Sequence, residues 1–264
     1  MGEQPIPAAG TTAPVETPPD ESPEVAESPE VTAKATGEVP VQVAAEVSRP
    51  QPAAPPRRGK IVDTIAPRPS RRLAVPFQGR IVDVITDEVD LGTAGVVRRE
   101  YVSHPGAVAV VALDDQDRVL LVRQYRHPVG AVLWELPAGL LDVDGEEPHV
   151  AAVRELVEEA DVMGATWNVL ADLLPTPGGS NEAIRVYLVR DLAPVPEDER
   201  HVREAEEAEM VVVPVPLEEA VQLALAGKLH NAAAVTGILA AAIGQASSWT
   251  TLRPVDAHWG FRRR

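Results

Sequence analysis

Gly139-Leu-Leu-Asp-Val-Asp-Gly-Glu146, followed after seven residues by Arg154-Glu-Leu-Val-Glu-Glu159, is the stretch that decides how this chain is read. A helix over 147–160 sets Glu155 and Glu159 four apart on one face, with Glu158 three from Glu155 on the same side. Arg154 and Glu158 are also four apart and pair, and Val150, Val153, Leu156, Val157 and Ala160 are expected as the opposing apolar stripe. Three carboxylates on one turn repel, and a single arginine answers only part of their charge. Two readings are open: a solvated acidic face, the usual meaning of a charge run, or a site for a hard divalent ion, Mg2+ or Mn2+, with oxygen ligands. The glycine loop ahead of the helix favours the second. Ala138-Gly139 offers a backbone carbonyl, Asp144-Gly145 reads as a tight turn, and Glu146 and Glu147 fall at the positive end of the helix dipole, with Pro148 suited to the first turn.

Spacing and charge together resemble the Nudix box, G-x5-E-x7-R-E-U-x-E-E-x-G-U with U aliphatic. Glu146, Arg154, Glu155, Glu158 and Glu159 meet every charged position, and Leu156 and Val162 two aliphatic ones. Two positions depart from the pattern: six residues separate Gly139 from Glu146, and Asp161 stands where the box has glycine. Three further segments narrow the resemblance. Trp134-Glu-Leu-Pro-Ala-Gly139 leads into the box, Val122-Arg-Gln-Tyr-Arg126 ends a strand that the family places beside the cleft, and Pro175-Thr-Pro-Gly-Gly-Ser-Asn-Glu182 forms a loop after it. With Gly227-Lys-Leu-His-Asn231 and Thr251-Leu-Arg-Pro254 they look like the ADP-ribose pyrophosphatase branch of high-GC bacterial type, over residues 79–259. Where that branch has Pro-Gly-Phe-Ser-Asp-Glu, this chain carries Gly179 and Asn181 and keeps Glu182.

The resemblance implies Mg2+-dependent hydrolysis of ADP-ribose to AMP and ribose 5-phosphate. It implies that Glu155 and Glu159, with the Ala138 carbonyl, are metal ligands, and that Glu158 is a further ligand or catalytic bridge. Arg154 orients the carboxylates from behind, alongside Glu146. Glu182 corresponds to the loop glutamate that positions or deprotonates the attacking water. Arg126 is expected to neutralise diphosphate oxygens, and Glu135 to meet ribose hydroxyls. Members of the branch pair as homodimers through N-terminal strands, which brings Arg98 and Arg99 toward a neighbour's site. His104 and His230 read as loop or cap hydrogen-bonders. Two other functions stay open: the same chemistry on another nucleoside diphosphate derivative, and a nucleotide-binding domain that does not cleave, for which Asp161 would be the mark.

Composition sets limits around that reading. Twenty-four Lys and Arg against 40 Asp and Glu give a net charge of −16, which argues against nucleic acid held by general electrostatics. The absence of cysteine excludes disulfides, thiolate metal sites and cysteine nucleophiles. No apolar run reaches transmembrane length. The opening Met-Gly-Glu-Gln-Pro-Ile has neither a basic nor an apolar signal region, so a cytoplasmic location is the default.

Along the chain, residues 1–58 are rich in Pro, Ala, Glu, Thr and Val and read as a disordered tail. Residues 59–103 read as a basic junction and N-terminal β-strands. Within them Gly59-Lys-Ile-Val-Asp-Thr-Ile65 and Gly79-Arg-Ile-Val-Asp-Val-Ile85 match at five of seven positions, the second expected as an ordered strand and the first as a marginal one. Residues 104–245 read as the catalytic domain and 246–264 as a C-terminal extension. Strands are expected at 107–113, 119–124, 168–174, 183–188 and 208–214, and helices at 217–226 and 232–241, with Gly227 stopping the first. The fold class is α/β: a Nudix α/β/α sandwich with a mixed sheet, preceded by a small β meander and a disordered tail.

Overall fold

The computed structural model of the protein describes residues 61–201 and 210–262. In chain order these form β1 (Ser70–Gln78), β2 (Asp83–Asp90), β3 (Val96–Ser103), β4 (Ala107–Ala112), β5 (Arg118–Arg126), β6 (Ala131–Glu135) and β7 (Ala138–Leu140). Then come α1 (Pro148–Ala160), β8 (Val162–Leu173), β9 (Ile184–Pro194), β10 (Val211–Pro216), α2 (Leu217–Leu225) and α3 (Ala232–Ala246). The tail 1–58, the start of the first repeat and residues 208–209 lie outside the described residues.

β4 shows why the core has three layers. Its run of Ala and Val is apolar at every position because both faces are covered. Val108, Val110 and Ala112 pack with Tyr187 and Val189 of β9 and with Ala151, Ala152 and Leu156 of α1. Ala109 and Val111 pack on the other side with Val186 and Leu188, and with Ala220 of α2 and Ala234, Ile238 and Ala241 of α3. Each fully buried valine stabilises this arrangement by roughly 1.5–3 kcal/mol. The sheet is mixed, as expected: in the order β7-β4-β9-β8 only β4 and β9 run parallel. A second sheet, β10-β5-β6, is antiparallel and follows β4 through the Asp114–Asp117 turn. Asp114 organises that turn by accepting from the Gln116 and Arg118 N–H groups and from the Arg118 side chain. Burial works to raise its carboxyl, and these bonds outweigh burial, leaving it below the usual carboxylate range.

Helix α1 forms where expected, but its buried stripe differs. Pro148, Ala151, Ala152, Leu156, Glu159 and Ala160 face inward, while Val150 and Val153 are 55% and 36% exposed. Alanines on the inner face let the helix lie close to β4 and β9, and close packing outweighed the hydrophobicity of the valines. β8 starts at Val162, six residues earlier than expected, because Gly164 and Thr166 interrupt the apolar run although both are paired with β9.

The N-terminal meander corrects the reading of the repeat. Ser70–Gln78, which contains a proline and two arginines, is the strand that pairs with β2. Pro76 falls in the irregular register between Ala74 and Phe77 on this edge strand, where a missing N–H is tolerated. In the second copy, Gly79–Val82 is the turn between β1 and β2, closed by Gly79 N–H donating to the Val82 carbonyl, and only its last three residues are strand. The described part of the first copy, 61–65, is in no strand, and Ile61 is 89% exposed. Arg71 and Arg72 of the basic junction pair with Glu88 and Asp87 of β2.

The C-terminal segment returns onto the catalytic sheet. Arg253 exchanges backbone hydrogen bonds with Val169 of β8. Buried Arg185 of β9 is held by Asp172, donates to the Ala257 and His258 carbonyls, and lies 4.8 Å from the centre of the Trp259 ring.

Candidate active site

Arg154 is the hub of the box. Its Nε and Nη2 donate to the two Glu146 oxygens, each at 3.1 Å, and its Nη1 donates to Glu155 at 2.6 Å and Glu158 at 3.2 Å. The Glu146 bonds, then the Glu155 charge, hold its proton more tightly than in an ordinary guanidinium, against the effect of burial. The Val143–Glu146 turn delivers Glu146 to this hub, with Gly145 in the left-handed region at φ 79°. Glu159, almost fully buried, accepts from the Ala138 N–H at 2.9 Å and so ties the helix to β7. Gly139 is what lets β7 pass the helix, because a Cβ there would run into the Glu155 carboxylate.

Among the described residues no three carboxylate or imidazole groups are already gathered as a metal cage. The donors nonetheless suit a hard cation. All are oxygens, Glu155 and Glu158 share one guanidinium nitrogen, Glu159 sits against Ala138, and one arginine balances only part of the charge. Gly139→Ala should displace Glu155 and weaken Mn2+ binding by roughly 10–100-fold, the usual effect of disturbing a ligand's support. Calorimetric titration measures this, and unchanged affinity would take Glu155 out of the ligand set.

Glu182, expected as the base, lies in the loop before β9. Val102 N–H donates to the Gly179 carbonyl and Asn181 N–H to the Val102 carbonyl. Asn181 Oδ1 accepts from His104 N–H at 2.7 Å. Ala107 N–H closes the far end on Ala183, and Leu141 N–H donates to Gly106. The 103–106 connection therefore touches both the Glu182 loop and the start of the box loop. Asn181, one of the two departures in this loop, does through its amide oxygen what a carboxylate there could do. His104 behaves as the loop hydrogen-bonder expected of it, and its Nε2 also lies 3.9 Å from Glu182 Oε1.

Arg126 and Glu135 are brought to each other. Arg126 donates to both Glu135 oxygens, at 3.0 and 2.7 Å, and Glu135 is buried. Glu135 thereby fixes the direction of a half-exposed guanidinium at the end of the β5–β6 hairpin. Arg98 and Arg99 lie on β3 in the N-terminal sheet, Arg98 paired with Glu100 and Arg99 donating to the Arg98 carbonyl. Arg262 was missed by sequence reasoning. It holds the box loop through Glu147 and the Glu146 carbonyl, and a lone arginine near a chain end carries no local signal for that. Cavities of about 730 and 880 Å3 open along the C-terminal segment, and neither is lined by Glu155, Glu158 or Glu159.

Asp161 ends α1 in the left-handed conformation, φ 54° and ψ 31°, as its place at the box glycine requires. Its N–H donates to Val157 and its carbonyl accepts from Val195. The strain of a side chain there and its charge at the negative helix end are unfavourable. Asp161→Gly should raise the stability of the metal-free protein by about 1 kcal/mol. Denaturant unfolding checks this, and a less stable variant would mean that the Asp161 side chain holds the helix end.

The family description "NUDIX domain" matches residues 103–235, half of the chain. An ADP-ribose pyrophosphatase of Mycobacterium tuberculosis is 45% identical over 181 residues, covering 69% of this chain and 86% of the relative. An ADP-ribose pyrophosphatase of Bacillus subtilis is 35% identical over 156 residues, covering 59% and 82%. A crystal structure of an ADP compounds hydrolase superposes with a TM-score of 0.56 at 21% identity, over 70% of this chain and all of that one, a likeness of fold. The matched span runs from the end of β3 into α3, so it takes in the Arg154 hub, β7 and the Glu182 loop together, and on that basis the chain belongs to the Nudix family.

Proposed function

We propose that this protein is a Mg2+-dependent hydrolase, with Mn2+ as an alternative, that cuts ADP-ribose into AMP and ribose 5-phosphate. The observation that carries the reading is the convergence of Glu146, Glu155 and Glu158 on one guanidinium, with Glu159 anchored on Ala138 beside them. The Ala138 carbonyl, Glu155, Glu158 and Glu159 would hold the cation. When bound, it would offset the charge of the diphosphate and acidify water. Glu182 takes a proton from the attacking water. The water oxygen bonds to one phosphorus and the bridging P–O bond breaks, so that one water is consumed for each AMP and ribose 5-phosphate. Arg126, aimed by Glu135, meets the diphosphate oxygens as AMP and sugar phosphate separate.

The left-handed geometry at Asp161 supports catalysis over a binding-only role, because the helix end keeps the form that the box glycine would give it. A panel of nucleoside diphosphates with Mg2+ and product identification tests the reading. Equimolar AMP and ribose 5-phosphate, with the highest kcat/KM for ADP-ribose, is the expected result. A better nucleotide sugar or dinucleotide would replace the substrate, and binding without turnover would make the domain a binder.

The same reading includes a cytoplasmic homodimer. β1 is an edge strand with Leu73, Val75 and Phe77 exposed, Phe77 by 56%, and a second copy would cover it. Sedimentation as a monomer at micromolar concentration would remove the dimer.

A further inference from the structure

Glu182 is not alone on its loop. We propose that His104 is a positioning residue for Glu182, an inference that rests on Glu182 being the base. The backbone settles which imidazole nitrogen carries the proton. Gly106 N–H donates to His104 Nδ1 at 3.1 Å, so Nδ1 is the acceptor and the neutral ring carries its hydrogen on Nε2. That Nε2 faces Glu182 Oε1 at 3.9 Å, and the two side chains are only 16% and 24% exposed.

The distance is too long for a hydrogen bond and short enough that a small closure of the loop makes one. The two residues cannot drift apart, because Asn181 and His104 are tied by the 2.7 Å bond and the backbone of Val102 is bonded on either side of Ser180. A donor on one carboxylate oxygen fixes the plane of the group and turns the other oxygen toward the water. It also keeps Glu182 from folding back onto its own loop, where Ser180 Oγ already accepts from the Glu182 N–H.

The test is a set of substitutions that separates the two nitrogens. Glutamine presents an N–H near the place of Nε2. Asparagine presents an oxygen near the place of Nδ1, where it can accept from Gly106. If His104 acts through Glu182, His104→Ala and His104→Asn should each lower kcat about 10-fold or more with KM within about two-fold, and His104→Gln should recover most of the loss. On a Glu182→Gln background His104→Ala should cost less than about two-fold, because the group it positions is gone. If asparagine restores kcat and glutamine does not, His104 serves only to hold the loop through Gly106, and the proposal is overturned. Equal losses from His104→Ala on both backgrounds overturn it as well. A Glu182→Gln variant that keeps near wild-type kcat with His104 intact removes the base assignment itself. That failure shows in the single variant and is distinct from the others.

Discussion

Turnover of ADP-ribose should fall to background in excess chelator and return when Mg2+ or Mn2+ is restored. The physical demand is plain. The chain carries a net charge of −16, and its box sets Glu146, Glu155 and Glu158 around one arginine. Two like charges 4 Å apart repel by about 4 kcal/mol at a partly shielded site. Adding a diphosphate to that group without further positive charge would cost several times as much. Arg154 is engaged with the glutamates, and Arg126 is engaged with Glu135. A divalent cation on the glutamates would supply the missing charge, because each of these arginines already balances a carboxylate. Undiminished turnover with chelator in excess over all metal would remove the proposed chemistry outright, whatever substrate is used.

Glu182→Gln should lower kcat by roughly 10²–10⁴, the loss expected when a general base becomes a neutral amide of the same size. Shape is kept, and the Glu182 N–H bond to Ser180 is unaffected because it is made by the backbone. Melting temperature and Mn2+ affinity should therefore stay close to those of the parent. The division between rate and metal binding is the discriminating feature, since a box glutamate altered in the same way should lose both. If Glu182→Gln turns over at the parental rate, the base lies elsewhere. If it loses metal affinity along with rate, Glu182 belongs among the ligands.

The sequence by itself determined the elements whose evidence is local. The β4 run had no polar interruption, the α1 glutamates stood at helical spacing, and Asp144-Gly145 marked its turn, so each could be read within a dozen residues. The helix end at Asp161 could be read in the same way, because Asp161 stands at the box glycine, a position that suits the left-handed conformation. What only the tertiary structure decided depends on residues distant in sequence. The inner face of α1 was set by how closely alanines approach β4, a property of the sheet below and not of the helix. β1 was hidden because its proline and arginines suit an edge strand, and being an edge is a relation to β2. Arg126 and Glu135 each carried a separate expectation, and a hairpin turned them into one bidentate pair. His104 and Glu182 are 78 residues apart and meet only because the 103–106 connection is bonded to the loop before β9. Periodicity and spacing fix what a segment is. Which side chains share a charge, a proton or a contact is fixed when the sheet closes, because those interactions fall off within a few ångströms while the sequence separation that joins them does not matter.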